Sequence, residues 1–405
     1  MVARKEGMAM STLSKVCSGN CITCGRCVSA IILDEYRASG QPLTPRDGYG
    51  IAADIGTTTV VLALIDLSSG KAVARHSFMN PQRAFGPDVI SRIDAANKGH
   101  LPEMRRMITD SISGGIAALL AAHGLSPGDV VDIAVAGNTV MIHLLLGLSC
   151  ESLGTLPFEI AHTLEKSYDS AKLFTPSRVR CNVRMVPWLA AYVGGDITAG
   201  LLCVAEQSEP PFLLMDLGTN GEMALYESGQ LTVTATAAGP AFEQSVAASK
   251  LFQGASGVIS ALADLVRREV VDETGLLSNE EVFTQKQVRD LQLAKSAIRS
   301  GLEILLETRG YYYEDIETVY LAGGIGQGMN VRDAVDIGLI PKALEGKAIP
   351  VGNTALGGAA ALLTSPEQAI ANMERLLLLA TEINLAAHPM FSEYFMEHMF
   401  FSSEA

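Results

Sequence analysis

From Ile51 onward the hydrophobic positions come in short, β-branched runs broken by glycine turns. "IAADIGTTTVVLALIDLSSGKAVARHSF" reads as a three-stranded meander: an apolar strand into a Gly-Thr turn, a second strand to "SSG", then a third. Helical text follows, including "PEMRRMITDSISGGIAALLAAHGL". The strand "VVDIAVAGN" then leads into the helix "TVMIHLLLGL". The strand "VRMVPWLA" leads into "DITAGLLCVA", a helix whose N-terminus Asp196 is placed to cap. At Phe212 the same order restarts, with "FLLMDLGTNGEMALYESGQLTVTAT" as strand, Gly-Thr turn, strand, "SG" turn and strand. Thr284 and Gln287 form a capping box. It opens a helix whose apolar Leu291, Ala294, Ile298, Leu302 and Leu305 recur at spacings of three or four. "TVYLAGGIG" and "AIPVGN" are the last strands, and "TALGGAAALL" the last helix of the pattern.

The order β-β-β-α-β-α-β-α therefore occurs twice, and its two openings, "DIGTTT" at Asp54 and "DLGTNG" at Asp216, lie 162 residues apart. So long a period is a duplication rather than a solenoid. The expected architecture is an α/β protein of two lobes, residues 51–209 and 210–405, the second ending in a helical tail. Residues 1–37 form a short N-terminal segment, and 38–50, with three Gly and two Pro, a linker. Two similar lobes leave a cleft between them, where small ligands bind.

The two turns supply the chemistry for that cleft. Glycine lets backbone approach a phosphate without a Cβ in the way. The turn amides and the threonine hydroxyls can donate to phosphate oxygens, and aspartate offers a hard oxygen to Mg²⁺, directly or through water. The candidate residues are Asp54, Gly56, Thr57, Thr58 and Thr59 in the first turn. In the second they are Asp216, Gly218, Thr219, Asn220 and Gly221. One such turn is an ordinary hairpin; two, each opening a meander, can grip phosphates from both sides. Gly323 and Gly324, at the end of an apolar strand, leave room for a purine or ribose. Glu222 and Glu243 are further cleft candidates, each expected to be structural.

Composition changes the picture at the front of the chain. Of 405 residues, 48% are apolar and only 18% charged, which describes well-packed domains rather than disorder. The net charge of −14 argues against nucleic-acid binding. There is no apolar run long enough for a transmembrane helix and no signal-peptide core, so the expectation is a cytoplasmic protein without a membrane partner. Structural disulfides are rare in that compartment. Yet "CSGNCITCGRC" sets Cys17, Cys21, Cys24 and Cys27 within eleven residues. Four thiolates in one tight loop, with no second separated pair, favour a 4Fe–4S cluster over zinc. The Cys-x₃-Cys-x₂-Cys part also matches the radical SAM motif, but the chain beyond it does not read as repeating βα units. Cys150, Cys181 and Cys203 are scattered and expected to be buried, inert thiols.

Many blocks in one order carry a family resemblance. They are "DIGTTTVVLALID", "NPQRAFGPDVISRI", "AGNTVMIHLLLG", "PWLAAYVGGDITA", "MDLGTNGEMAL", "AGPAFE", "QLAKSAIRSGLEILL", "AGGIGQGMN", "VGNTALGGAAALL" and "INLAAHPMFSEYFMEHMFF". Over about residues 48–400 the chain resembles the acetate and sugar kinase/Hsc70/actin superfamily. Within it, the chain is similar to the reductive activators of corrinoid-dependent enzymes. The resemblance implies an actin-like ATPase fold, with Asp54–Thr59 and Asp216–Gly221 as phosphate loops and Gly323–Gly326, thus also Gly326, as the adenosine loop. Asp54 and Asp216 would hold Mg²⁺ through water, and Asp196 would orient the attacking water. The chain departs from the family in front, where a longer ferredoxin-like domain with a 2Fe–2S cluster is usual. It departs again after Glu243, where Gln244 stands in place of an expected glycine.

The resemblance implies an ATP-dependent activator that passes one electron from an iron–sulfur cluster to the cobalt of a corrinoid protein or methyltransferase. The reductant is unidentified, and a homodimer sharing the cluster is possible by analogy with the activators of 2-hydroxyacyl-CoA dehydratases. Three alternatives stand beside it: a dehydratase activator of that kind, a small-molecule kinase of the same superfamily, and an ATP-gated factor that delivers a cluster.

Overall fold

The structure is a computed structural model that describes residues 43–174, 178–248, 254–280 and 282–401. Cys17, Cys21, Cys24 and Cys27 lie outside the described residues.

The first repeat builds β1 (Tyr49–Ile55), β2 (Thr59–Asp66), β3 (Lys71–Met79), β4 (Val130–Gly137), β5 (Tyr168–Asp169) and β6 (Asn182–Met185). The second builds β7 (Phe212–Leu217), β8 (Gly221–Glu227), β9 (Gln230–Thr236), β10 (Thr318–Ala322), β11 (Ala348–Gly352) and β12 (Ala380–Glu382). Each forms a six-stranded sheet, ordered β3-β2-β1-β4-β6-β5 and β11-β10-β7-β8-β9-β12. Without the short β5 and β12, which the sequence pattern does not announce, the two sheets have one topology. An antiparallel meander is flanked on its first strand by two parallel strands. β5 and β12 are two- and three-residue additions at sheet edges, too short to carry a period.

Both faces of each first strand are covered, and alternation assigns them. Ile51, Ala53 and Ile55 enter the outer core of the first lobe, while Ala52 faces the other lobe. In β7, Leu213, Met215 and Leu217 pack outward, and Phe212 and Leu214 inward. The same period places Asp54 and Asp216 on the inner faces, at the carboxyl ends of parallel strand pairs. In open α/β sheets that end is where ligands bind.

Between the sheets lies a shared core centred on two crossing helices, Gly195–Val204 and Thr354–Thr364. Their crossing is tight because it is made of small residues. A Cβ on Gly358 would stand 2.3 Å from the Ala199 carbonyl oxygen, and one on Gly200 would stand 2.7 Å from Leu214 Cδ2. The lobes thus share one packed interior as well as a cleft.

Several local expectations meet the structure directly. The Thr284–Gln287 capping box is present at the start of helix Gln285–Arg309, and all five periodic apolar residues are buried. Asp196 does not cap its helix: the N-cap is Gly194, and Asp196 sits in the first turn, at the cleft. Residues 44–48, expected in a linker, are docked. Thr44 N donates to Thr364 O at 2.9 Å and Arg46 N to Leu67 O at 3.1 Å. Cys150 and Cys203 are buried, their thiols pushed up to about 12 by burial, but Cys181 is half-exposed. Among the described residues no helix is long and apolar enough to cross a membrane.

Candidate active site

A cleft of about 300 Å³ opens between the lobes. It is lined from one side by Asp54, Gly56, Thr57, Thr58 and Thr59, and from the other by Asp216, Gly218, Thr219 and Asn220. Asp196, Gly323 and Gly324 also line it. Gly221 and Gly326 do not: the Cβ position of Gly221 points at Thr236 and Ile298, and that of Gly326 at Leu321. Their glycines serve packing behind the loops.

The first loop is held from behind by the segment after β3. Asn80 Nδ2 donates to Gly56 O at 2.9 Å, Asn80 N to Thr58 O at 2.9 Å, and the buried Arg92 guanidinium to Thr57 O at 2.7 Å. Burial, with the nearby charge of Arg83, lowers the Arg92 pKa to about 10, against the opposing pull of Asp88. With these carbonyls engaged, Thr57 and Thr58 turn toward the cleft. In the glycine loop after β10, Gly323 has φ +80°, and a Cβ there would collide with Asp216 Oδ1 at 2.3 Å. A Cβ on Gly324 would meet nothing within 4 Å, so the backbone there borders open space.

The loops touch. Thr219 Oγ1 donates to Glu243 Oε1 at 2.9 Å, so the 3.0 Å contact between Thr58 and Thr219 has Thr58 as donor. Glu243 Oε2 is buried and has no hydrogen-bond partner among the described residues.

Four carboxylates crowd the floor. Burial pushes Asp54 up to about 7, opposed by a 2.7 Å hydrogen bond from Asn353 and reinforced by the charge of Asp196. Asp216 is held well above the usual range by burial and then by the charges of Asp196 and Asp54. Glu222 is raised by burial and by Asp196. Asp196 is raised by burial, with its hydrogen bond to Glu222 working the other way. Among the described lining residues Arg83 is the one cation. Among the described residues no three His, Cys, Asp or Glu side chains converge to hold a metal directly.

Sequence reasoning missed Asn138, Asn353, Arg83 and Arg92. Asn138 donates to Glu222 Oε1 at 2.6 Å, and Gly194 N to Glu222 Oε2 at 3.1 Å, so Glu222 pins two first-lobe loops from the second lobe. A signal was available for the asparagines alone: both follow a strand and glycine, in "AGN" and "VGN".

Residues 49–207 match the family model described as the RACo middle region, and residues 211–250 and 277–405 match the C-terminal domain of RACo, the ASKHA domain. The corrinoid activation enzyme RamQ of Eubacterium limosum is 33% identical over 422 residues, covering 87% of this chain and 70% of its own length. The chain belongs to the RACo family. A second relative, the Co(II) methylated amine-specific corrinoid protein reductase of Methanosarcina barkeri, is 24% identical over 76% of this chain and 68% of its own length. The solved reductive activator for a corrinoid, iron–sulfur protein superposes with a TM-score of 0.80 at 30% identity, covering 88% of this chain and 66% of that one. This RACo chain thus spans about two thirds of the length of these relatives. Its matched residues are the two lobes whose inner faces form the cleft, with the family boundary at 207–211 falling just ahead of β7.

Proposed function

We propose that this chain is an ATP-dependent reductive activator that delivers one electron to the cobalt of a corrinoid protein. The observation that carries the reading is the cleft: two Asp-x-Gly-Thr loops from duplicated lobes face each other in a chain of the RACo family.

The nucleotide phosphates would lie between Thr57–Thr58 and Gly218–Thr219, with the purine side at Gly323–Gly324. Two facts fit this: the space beside Gly324, and the engaged carbonyls of the first loop. Arg83 is positioned to meet phosphate charge. Asp54 and Asp216 would hold hydrated Mg²⁺, whose charge relieves their mutual repulsion and returns both to the carboxylate form. Asp196 lies beside Asp216, where it can orient a water toward the terminal phosphate.

Cys17, Cys21, Cys24 and Cys27 form a donor set suited to a 4Fe–4S cluster, which would supply one-electron chemistry. Reaching low-potential cobalt is uphill, at about 1.4 kcal/mol per ~59 mV for one electron. Nucleotide binding offsets that only if it distinguishes two arrangements of the lobes. Packed interiors resist continuous deformation, so the shared core with its close helix crossing would favour discrete arrangements over a graded one.

Anaerobic purification with iron and sulfide analysis and EPR, followed by a spectroscopic assay of Co(II) loss in a corrinoid protein with and without ATP, tests the reading. Cys21→Ser with Cys24→Ser should remove iron and spare nucleotide binding. Zinc without iron in the anaerobic protein, or cobalt reduction indifferent to ATP, would reject it.

A further inference from the structure

One helix runs from the cleft between the lobes to the place where residues 43–48 dock on the body. At the N-terminus of Thr354–Thr364, its cap residue Asn353 accepts from Leu356 N at 2.7 Å and donates to Asp54 Oδ2 at 2.7 Å. At the C-terminus, Leu363 O accepts from Arg46 Nη2 at 2.8 Å and Thr364 O from Thr44 N at 2.9 Å. Eleven residues at 1.5 Å rise give a rod of roughly 16 Å.

We propose that this helix couples nucleotide occupancy to the docking of residues 43–48 on the body, with Arg46 as the positioning residue at its far end. The inference rests on the nucleotide reading of the cleft. Three observations carry it.

The rod is stiff where it would need to be. Gly358 lets it lie against Ala199 without intervening side chains, and Leu363 packs where a Gly50 Cβ would be, 2.9 Å from its Cδ1. Close-packed backbone transmits a shift instead of absorbing it.

Arg46 is built as a fork. Both Nη atoms lie 3.3 Å from Asp132 Oδ2, while Nη2 also reaches the helix end. Asp132 is 2% exposed on β4 and also pairs with Arg184 at 3.0 Å. The guanidinium therefore references the helix end against the fixed first-lobe sheet.

The near end is a nucleotide contact by position. Asp54, which Asn353 holds, lines the cleft and is the carboxylate that would turn toward hydrated Mg²⁺. When that happens, the Asn353 bond must lengthen or the helix must follow.

Coupling is reciprocal, so the test reads both ends. Hydrogen exchange of the full-length protein is followed with and without Mg²⁺ and a non-hydrolysable ATP analogue, alongside calorimetric affinity. In the wild type, nucleotide should change exchange at 43–48 and across 354–364 by about fivefold or more, in addition to protecting the loops at Asp54 and Asp216. Arg46→Ala should keep loop protection, lose the change at 43–48, and shift nucleotide affinity by about fivefold or more. Arg46→Lys keeps the charge facing Asp132 but cannot fork, so it should fold as the wild type does and still lose the coupling. If Arg46→Ala does not fold, Arg46→Lys decides. Loop protection with residues 43–48 unchanged in the wild type, or full coupling in Arg46→Lys, overturns the inference and leaves the nucleotide site standing. No heat of binding and no protection anywhere would reject the nucleotide reading itself.

Discussion

The hydroxyl of Thr58 donates to Thr219 at 3.0 Å, joining loops 161 positions apart and closing the cleft floor from both lobes. Thr219 passes the chain of bonds to Glu243, whose second oxygen is left without a partner. A phosphate entering between the loops would take both hydroxyls as donors and remove this bridge.

Thr219→Val keeps the shape and deletes the hydroxyl. Nucleotide affinity should fall about tenfold, the worth of one hydrogen bond to a charged group. Equilibrium titration checks it, and an unchanged dissociation constant would place the phosphates elsewhere.

Asp54 sets a pH dependence whose sign follows from its raised pKa. The folded protein keeps a proton that the unfolded chain releases above the usual carboxylate range, so the stabilisation present at low pH is lost as pH rises toward about 7. Asp54→Asn removes this loss. Without nucleotide, the wild type should lose on the order of 3 kcal/mol more than Asp54→Asn between pH 4 and pH 8. Urea titrations at several pH values measure it; parallel stability curves would show that Asp54 is not desolvated.

Asp216→Ala should leave the fold intact and reduce ATP turnover by about 10²–10³-fold, as expected when a preorganised charge at the reacting phosphates is removed. Turnover equal to wild type would sink the role given to Asp216.

Two glycine changes separate space for a ligand from space for the chain. Gly324→Val fills the open side of the cleft, where a Cβ meets nothing within 4 Å, so stability should hold while nucleotide affinity drops at least about tenfold. Gly358→Ala instead drives a methyl onto the Ala199 backbone and should destabilise by about 2–3 kcal/mol. Thermal melts and titrations side by side distinguish the two.

Glu222→Ala leaves the Asn138 amide and the Gly194 N–H without their acceptor. At pH 5 the loss should be about 2–4 kcal/mol. At pH 8 it should be smaller, because the change also removes a charge facing Asp196 and Asp216. An equal loss at both pH values would contradict the crowding of these carboxylates.

The chain's own pattern determined the repeat, the two meanders and the loops Asp54–Thr59 and Asp216–Asn220, because period-two alternation and Gly-Thr turns are local and write themselves into neighbouring residues. It also placed both aspartates at strand ends. It did not reveal Asn353 on Asp54, 299 positions away, Arg92 behind Thr57, Arg46 at the end of helix Thr354–Thr364, or that Gly221 and Gly326 face away from the cleft. Asp196 carried two readings, a helix cap and a water-orienting acid implied by the resemblance; the structure gives the cap to Gly194 and sets Asp196 in the cleft, which local sequence could not decide. Those relationships were decided when the two lobes packed through one small-residue interior, since a polar side chain's partner is fixed by which surfaces meet and no periodicity along the chain records that.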